Sequence, residues 1–426
     1  MLTEERRKRD MKKIALVSII LLSMLVVAVL PMIRVNAVEL AEEGPGYFVV
    51  FSGWGLPLDV DAIIAGCGGR ISSKFPDVGV LVALPTIDLA TFEANLNGVP
   101  SIIDFGHDYV SELPNDLVVI ADESESEGTP PDPTPVDLHY WRYQWHMWHT
   151  IQASNTSAWI ITTGSHEIKV AVLDTGIDWT HPDLTPNYDF ALSKNFVDWD
   201  FDGIPDEPLM DENGHGSFCG GIVAAAYGGG RCVGVGPNLD LVNLKVMGRE
   251  GRGYFEWDFG AIYWAVENGI DVVSMSFGAY VPMAGGAKQG GSALYSALQK
   301  LFNYAHRNGV LCIASAGNSA LDMDGLWSWR HLPSQCSNVI CVIGTDVYDG
   351  LAAYSNYGSC LHGISAPGGY NALTEPAWYR TEFPNQPKVA WNYMMGWIFS
   401  TGLMANYPYI YLRGYGTSMS APHVAG

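Results

Sequence analysis

Short apolar runs alternate with helix-length stretches through the last two thirds of this 426-residue chain. Five runs have the length and apolar content of buried strands, at residues 169–173, 239–246, 271–275, 310–314 and 339–343. Stretches with helical character lie between them, at residues 218–226, 255–268 and 293–308. Strands that alternate with helices favour a parallel sheet that helices cover on both faces. The alternation therefore predicts an α/β fold.

Three short segments supply an acid, a base and a nucleophile. Asp174 follows the apolar run 168–173, so its carboxylate is expected at the carboxyl edge of a buried strand, where open α/β sheets bind ligands. His215 lies between two glycines and is expected to begin a helix. Ser418 follows Gly416 and is expected at a helix N-terminus, where the helix dipole favours developing negative charge.

These side-chain types suit acyl transfer. A serine hydroxyl is a poor nucleophile at neutral pH, so an imidazole must accept its proton and a carboxylate must hold that imidazole. Asn318 follows the fourth predicted strand and is predicted to donate a hydrogen bond to an oxyanion. Asp-Thr-Gly also occurs in aspartic peptidases, but the second such motif that those enzymes need is absent from the sequence.

Together with residues 272–278, these motifs resemble those of subtilisin-like serine peptidases, the subtilase family, from Trp145 onward. The order Asp, His, Ser along the chain is that of subtilisin. The resemblance implies a three-layer, parallel-sheet fold and a serine endopeptidase. Ser418 would attack the scissile carbonyl, His215 would move the proton and Asp174 would orient His215. Asn318 and the backbone amide of Ser418 would stabilise the oxyanion.

The resemblance also implies where a protein or peptide substrate binds. Endopeptidases pair an extended substrate with exposed backbone edges. Two such edges and one part of the primary specificity pocket are expected. These residues are Gly251, Gly253 and Tyr254, then Ser276, Phe277 and Gly278, and finally Ser315, Ala316 and Gly317.

Residues 44–113 are predicted to form a small α+β domain ahead of the peptidase, in the β-α-β-β-α-β order of ferredoxin-like domains. This domain resembles the family's propeptide, which assists folding and inhibits by laying its tail in the active site. Residues 122–137 hold six acidic residues, four prolines and no basic residue, and are expected to be a linker without a packed core. The peptidase domain is assigned to residues 138–426. Self-processing is expected between residues 112 and 139.

A calcium loop is predicted from carboxylates at alternate positions, which can converge on one ion. The glutamate that an EF-hand needs is replaced by Leu209, so a solvated acidic loop is the alternative. By the resemblance, Asp183 matches a second calcium ligand, but its partner segment 227–231 lacks the expected asparagine and carries a positive charge. The proposed ligands of the first site are Asp198, Asp200, Asp202 and Asp206.

Composition limits the classes of function that the chain can have and indicates the cellular compartment in which it works. Hydrophobic residues make up 48% of the chain, enough for a large core, and a net charge of −22 argues against nucleic-acid binding, which needs a basic surface. Seven cysteines suit an exported protein, although an odd number leaves at least one thiol free. Cys219 is expected to be a buried thiol one helical turn from His215. Cys336 and Cys360 are expected to form a disulfide.

Residues 11–37 have the pattern of a secretory signal peptide, with two lysines before the apolar run 14–33 and small residues after it. The run is also long enough to span a bilayer, so a signal anchor is the alternative. The protein is accordingly expected to be secreted, or anchored in the membrane and facing outside. It would contact the membrane only if this segment were not cleaved.

The predicted function is that of an exported endopeptidase zymogen that removes its own propeptide. Two alternatives remain open at this point: a non-catalytic binding or inhibitor-like module, and a membrane-tethered enzyme that processes one restricted sequence. The sequence stops eight residues after Ser418, where the resembled family continues, so a truncated carboxyl terminus is expected. Residues 369–415 form a longer segment than in shorter family members, and are expected to be a packed surface loop or a wall of the substrate cleft.

Overall fold

The computed structural model describes residues 41–113, 120–121, 144–153, 156–228, 230–283, 291–370, 396–406 and 410–426. The predicted signal segment 11–37 and linker 122–137 lie outside these ranges, as do residues 371–395 of the long segment. Within the described ranges, each helix is too short or too polar to cross a bilayer.

The described residues form nineteen strands and seven α-helices. The strands are β1 Glu43–Phe51, β2 Gly69–Phe75, β3 Val80–Pro85, β4 Ile102–Glu112, β5 Ile120–Ala121, β6 Gln152–Ala153, β7 Thr156–Ser157, β8 Lys169–Asp174, β9 Lys194–Asn195, β10 Asp240–Lys245, β11 Arg252–Tyr254, β12 Val272–Met275, β13 Ala279–Pro282, β14 Leu311–Ser315, β15 Trp329–Leu332, β16 Val339–Thr345, β17 Gly363–Pro367, β18 Ile398–Thr401 and β19 Tyr411–Gly414. The helices are α1 Val60–Cys67, α2 Leu89–Asn97, α3 Trp145–Ile151, α4 His215–Ala224, α5 Phe255–Glu267, α6 Gly291–Arg307 and α7 Thr417–Ala425.

A seven-stranded parallel sheet organises the larger part of the fold, in the order β17-β16-β14-β12-β8-β10-β9. Alternate residues of each strand point to opposite faces. In β8, Ala171 and Leu173 pack in the cluster that includes α5 and α6, whereas Val170 and Val172 pack in the cluster that includes α4 and α7. Both faces are therefore covered by helices, and the predicted α/β fold is confirmed.

A second, antiparallel sheet is built from the order β4-β1-β3-β2, with β11 added beside β4. Tyr47 and Val49 of β1 pack in a cluster with α1 and α2. Phe48 and Val50 face the other way and join the cluster of α5, α6 and the central sheet. Both faces of β1 are buried for this reason, and the small sheet shares a continuous core with the larger part of the fold.

The structure extends several predicted elements. The last strand of the small sheet, β4, continues to Glu112, because its second half leaves the small core and pairs with β11. Strands β13, β15, β17, β18 and β19 were not predicted, since they are short and lack alternation. Residues 396–403 of the long segment are buried and include β18, so this part is not a surface loop.

The predicted disulfide between Cys336 and Cys360 is wrong, because all seven cysteines are free thiols. Cys336 is buried in the core that contains α6, whereas Cys360 is partly exposed and accepts a hydrogen bond from the side chain of Gln335. The disulfide was expected because both cysteines lie in segments with loop-like sequence, where two thiols could approach each other. Burial of Cys336 raises its pKa to about 12, so it is a neutral, inert thiol.

A leucine pair tests the shared core. Leu301 of α6 is fully buried in the cluster that joins the two sheets, and Leu58 is fully exposed. Leu301→Ala is expected to lower the free energy of unfolding by about 2–5 kcal/mol, because it removes buried methyl groups and leaves a cavity. Leu58→Ala is expected to change it by less than about 0.5 kcal/mol. Urea denaturation in a Ser418→Ala background measures both, and equal effects would contradict this assignment of the core.

Candidate active site

Asp174 and His215 form a buried hydrogen-bonded pair at the carboxyl end of the central sheet. Asp174 is the last residue of β8 and has the same alternation as Val170 and Val172, so it faces α4 and α7. His215 begins α4, as predicted, and its Nδ1 lies 2.8 Å from both carboxylate oxygens of Asp174. This contact orients the ring and leaves Nε2 available for a second partner.

The environment of His215 changes the proton affinity of the ring. Burial by itself lowers the pKa of His215, but the negative charge of Asp174 raises it, and the net pKa lies well above that of an ordinary imidazole. Cys219 Sγ lies 3.8 Å from Nδ1, one turn further along α4, and is buried as predicted. Burial raises the pKa of Cys219, so the thiol stays neutral beside the pair.

Two residues bring α4 close enough to β8 for this contact. A Cβ atom at Gly216 would lie 2.0 Å from the carbonyl oxygen of Gly176, so only glycine allows the approach. Asp211, which the sequence analysis missed, is buried and accepts hydrogen bonds from the Thr175 hydroxyl and from the backbone amide and hydroxyl of Ser217. It also accepts from the amides of residues 213 and 214, and that turn pattern of an aspartate before Asn-Gly is the signal that could have identified it.

Ser418 is the second residue of α7, as predicted for a residue at a helix N-terminus. Its carbonyl oxygen accepts hydrogen bonds from the hydroxyl of Ser276 at 2.8 Å and from the thiol of Cys219 at 3.5 Å. The side-chain oxygen of Asn318 accepts from the amide and the hydroxyl of Thr417, each at 2.8 Å. Thr417, a second residue that the sequence analysis missed, therefore fixes which end of the Asn318 amide group remains free.

Three buried polar atoms of these residues lack a hydrogen-bond partner among the described residues. They are His215 Nε2, Ser418 Oγ and Asn318 Nδ2. Buried polar groups are nearly always satisfied in folded proteins, and each exception calls for an explanation such as a catalytic role or a bound water or ion. An imidazole nitrogen, a hydroxyl and an amide donor are thus the buried groups that this site leaves without a partner among the described residues.

The predicted substrate-binding edges are occupied by the end of β4. Residues 110–112 pair antiparallel with β11, which contains Gly253 and Tyr254. The amide of Leu113 donates to the carbonyl of Gly251 at 2.9 Å, and the backbone of Glu112 exchanges hydrogen bonds with Gly278 at 3.3 and 3.4 Å. The end of β4 therefore lies in extended form between two backbone edges.

The remaining predicted substrate residues lie beside these edges and the start of α7. Phe277 is buried in the core, so only its backbone is available to a substrate. Ser315 ends β14, Ala316 donates its amide to Val342, and the amide of Gly317 donates to the Thr417 hydroxyl at 3.1 Å. The segment 315–317 is thus held against the start of α7.

Three buried carboxyl groups meet where the small sheet contacts α5. Asp108 of β4 accepts a hydrogen bond from the amide of Glu256, and the hydroxyl of Ser73 donates to the Glu256 carboxylate. Burial, with the nearby charge of Glu256, raises the pKa of Asp108 well above its usual range. Burial likewise raises the pKa of Glu256 and of Asp258. These groups are accommodated most easily in their neutral, protonated form.

The acidic loop brings three of its four predicted calcium ligands together. Oxygen atoms of Asp198, Asp200 and Asp206 lie within 4.8 Å of one another, and local desolvation and the negative charges of Asp202 and Asp206 raise the pKa of the exposed Asp200. Asp202 is not in this group, and its amide donates to Asp198 and Asp200. Three converging carboxylates suit the oxygen ligand set of calcium.

Asp183 has a different environment from the acidic loop. It is buried, accepts a hydrogen bond from the amide of Cys232 at 3.1 Å, and burial raises its pKa to about 7. Groups of three or more acidic, histidine or cysteine side chains that could share an ion occur at two places among the described residues, and Asp183 belongs to neither. Among the described residues, Asp183 therefore lies outside every group of three or more such side chains.

Comparison with known proteins places the chain in a family. Residues 165–426 match the subtilase family. A thermophilic serine proteinase from Bacillus sp. (strain AK1) is 30% identical over 294 residues, which cover 69% of this chain and 58% of that protein. The major intracellular serine protease of Bacillus subtilis (strain 168) is 33% identical over 269 residues, which cover 63% of this chain and 69% of that protein. The chain thus spans less than two thirds of the first of these relatives.

Two solved structures share the fold. The epidermin leader peptide processing serine protease EpiP from Staphylococcus aureus superposes with a TM-score of 0.68 at 21% identity, covering 90% of this chain and 87% of that one. The nisin leader peptidase NisP from Lactococcus lactis gives a TM-score of 0.57 at 26% identity, covering 68% of this chain and 83% of that one. The family match covers more than half of the residues, and the chain belongs to the subtilase family of serine peptidases.

Proposed function

We propose that this chain is the zymogen of an exported serine endopeptidase that hydrolyses peptide bonds in proteins or peptides and removes its own amino-terminal domain. The observation that carries the proposal is the buried pair of Asp174 and His215, together with three buried atoms that have no partner among the described residues: His215 Nε2, Ser418 Oγ and Asn318 Nδ2. A non-catalytic module has no need to keep a base, a hydroxyl and an amide donor buried and unpaired, since each unpaired group lowers stability.

The proposed reaction proceeds through an acyl-enzyme. Ser418 Oγ bonds to the scissile carbonyl carbon while its proton passes to His215 Nε2, and His215 then gives that proton to the departing amine. A water molecule, deprotonated in turn by His215, hydrolyses the ester and restores Ser418. The charge of Asp174 stabilises the imidazolium in each half-reaction, and the raised pKa of His215 reflects that stabilisation.

The oxyanion is proposed to be held by Asn318 Nδ2 and the backbone amide of Ser418. Thr417 supports this role, because its two hydrogen bonds occupy Asn318 Oδ1 and leave Nδ2 as the end of the amide group that has no partner among the described residues. Removing one such donor in subtilisin costs about a hundredfold to a thousandfold in kcat, and we adopt that range for Asn318→Ala. The corresponding loss of transition-state stabilisation is about 2.7–4 kcal/mol.

The domain at residues 44–113 is proposed to be the propeptide that inhibits this site. The pairing of β4 with β11 and with Gly278 supports the proposal, because a substrate would use the same backbone edges. The shared core of β1 with α5 and α6 supplies apolar contact that holds the domain in place after cleavage. Inhibition is then a consequence of product-like binding.

Self-cleavage is proposed to fall between Leu113 and Ile120, inside the wider range expected from the sequence. The backbone amide of Leu113 donates a hydrogen bond to Gly251 on the predicted substrate-binding edge. On the other side, β5 pairs with β19, and Leu412 of β19 lies close to Gly214, the residue before His215. The described residues on the two sides of the proposed cleavage segment thus contact the predicted substrate-binding edge and the strand next to Gly214.

Export and a calcium site complete the proposal. The apolar run 14–33 supports secretion after signal cleavage, with a membrane anchor as the alternative. The names of EpiP and NisP describe them as processing leader peptides, which makes a restricted processing enzyme a narrower alternative.

A calcium ion held by the acidic loop at residues 198–206 would cross-link the loop and stabilise the fold.

The test of the proposed function is self-processing. The full chain is expected to yield two pieces, with a new amino terminus between residues 114 and 120, because Leu113 is hydrogen-bonded to the predicted substrate-binding edge at Gly251. Ser418→Ala is expected to stay intact, and Asn318→Ala to process about a hundredfold to a thousandfold more slowly. Intact mass and terminal sequencing measure all three. Cleavage of the Ser418→Ala chain at the same bond would exclude Ser418 as the nucleophile.

Release of the amino-terminal domain is expected to accelerate as pH rises. Asp108, Glu256 and Asp258 have raised pKa values in the complex and regain ordinary values on separation, so the complex binds more protons than its parts. Its affinity therefore falls from about pH 4, the ordinary carboxyl value, upward through the raised pKa values. The self-cleaved protein is incubated at each pH, and aliquots are assayed for peptidase activity at one fixed pH.

Two variants separate this effect from general pH dependence. Asp108→Asn removes one buried acid and is expected to flatten the pH profile of release. Asp59→Asn removes an exposed acid from the same domain and is expected to leave the profile unchanged. A release rate that increases on acidification would contradict the assignment.

Calcium is expected to raise the melting temperature of the Ser418→Ala chain, since an ion bound only to the folded state stabilises it by about 2.7 kcal/mol at a hundred times its Kd. Asp200→Asn is expected to remove most of this response, because it deletes one of three converging carboxylates. Glu212→Gln alters an exposed acid outside the loop and should keep the response. Thermal unfolding with calcium and with a chelator measures each case, and a calcium response unchanged by Asp200→Asn would place the ion elsewhere.

A further inference from the structure

Arg252 lies on one of the two predicted substrate-binding edges. It contacts a side chain of β4, the strand whose end occupies the groove between these edges. It is the first residue of β11 and stands opposite Glu112 in the antiparallel register. Its Nε donates to Glu112 Oε1 at 2.7 Å. Glu112 is also the residue whose backbone exchanges hydrogen bonds with Gly278 on the other edge. The side-chain contact is therefore made at a position where the backbone is fixed on both sides.

A second carboxylate completes the environment of Arg252. Its Nη2 forms an ion pair with Glu42, just before β1. Both partners precede residue 114, so both lie in the amino-terminal part of the chain that the proposed self-cleavage removes. Within the described parts of the chain, these two carboxylates are the hydrogen-bond and ion-pair partners of the guanidinium group. Release of the domain thus exposes a cation on the groove edge without its two partners.

The surrounding charge makes this cation distinctive. The chain carries a net charge of −22, so an acidic substrate is repelled by the protein as a whole. The side chains of Arg252 and Glu112 are 43% and 39% exposed, which keeps the desolvation cost of pairing low and leaves the pair sensitive to salt. Arginine binds a carboxylate through several N–H donors in a fixed plane, which suits recognition at one position of an extended peptide.

We propose that Arg252 determines specificity at one substrate position, so that the enzyme prefers aspartate or glutamate in the place that Glu112 occupies in the zymogen. The inference rests on the proposed function, because it treats the end of β4 as a stand-in for substrate. Arg252 would select one chemical class of side chain, a carboxylate, at a substrate position removed from the scissile bond.

The preference is expected to be modest and electrostatic. An exposed ion pair contributes up to about 1 kcal/mol, which is about fivefold in kcat/KM. A lysine at the same position of the substrate would meet Arg252 with like charge, and is expected to be disfavoured relative to glutamine by about threefold. Both ratios should shrink toward one at about 1 M salt, where the Debye length is about 3 Å.

The experiment uses the self-processed protein obtained from the full chain. The substrates are quenched fluorescent peptides with the sequence of residues 109–121, in three forms: unchanged, with Glu112→Gln and with Glu112→Lys. Each is measured as a substrate, by kcat/KM, and as a competitor of fluorescent casein, by its inhibition constant. The wild-type protein is expected to favour the unchanged peptide over the Glu112→Gln form by about threefold to fivefold in both measurements.

Three variants assign the preference to Arg252. Arg252→Gln is expected to treat the unchanged and Glu112→Gln peptides alike, and Arg252→Lys to retain part of the preference because it keeps the charge. Arg249→Gln removes an exposed arginine three residues away, in the turn before β11, and is expected to retain the wild-type ratio. Thermal unfolding confirms that each variant is folded, so that a ratio and not an absolute rate carries the conclusion.

The outcomes separate this inference from the proposed function. If the wild-type protein cleaves casein while the three peptides behave alike in both measurements, the inference about Arg252 is overturned and the proposed function stands. The inference also falls if Arg252→Gln retains the preference, or if high salt leaves it unchanged. If the wild-type protein cleaves neither casein nor peptides beyond the Ser418→Ala background, the proposed function fails, and the inference that rests on it fails with it.

Discussion

The close approach of α4 to the end of β8 is the constraint on which the candidate site depends. Gly216 has no room for a side chain against the Gly176 carbonyl, and this proximity brings the His215 ring within 2.8 Å of Asp174. Asp211 stabilises this approach by accepting hydrogen bonds from Thr175, which follows β8, and from Ser217 in α4. A wider spacing would separate base and acid, because the hydrogen bond between them tolerates little change in distance.

The same face of the central sheet positions Ser418, the proposed nucleophile. Helices α4 and α7 pack in one cluster with Val170 and Val172, so the strand alternation that turns Asp174 toward them also places the starts of both helices beside it. Ser276 and Cys219 donate hydrogen bonds to the carbonyl of Ser418 and connect α7 to β12 and α4. The proposed catalytic groups are therefore supported by sheet, helix and hydrogen bonds together, which is the arrangement that preorganised catalysis requires.

The opposite face of the central sheet carries the amino-terminal domain. Apolar contacts there strengthen binding of the domain, whereas buried acidic groups make that binding depend on pH. Phe48 and Val50 share a core with α5 and α6, which holds the domain firmly. Asp108, Glu256 and Asp258 lie buried at the same contact and favour the protonated state, which makes that hold depend on pH. Arg252 forms its ion pairs at the exposed rim, where salt and solvent weaken them. Burial thus decides which contacts respond to pH and which respond to ionic strength.

The sequence by itself determined the α/β class, the strand that ends at Asp174 and the helices that begin at His215 and near Ser418. Each of these follows from local apolar patterning, or from glycines that flank a functional residue. The roles of Asp211 and Thr417, the extension of β4 to Glu112 and the neutral state of Cys336 were decided by tertiary structure. Asp211 and Thr417 act through partners that are distant along the chain, β4 continues because β11 offers it an edge, and burial of Cys336 separates it from the thiol predicted to pair with it. Local sequence specifies which elements form, whereas contacts between distant segments decide which polar groups remain unpaired and therefore available for chemistry.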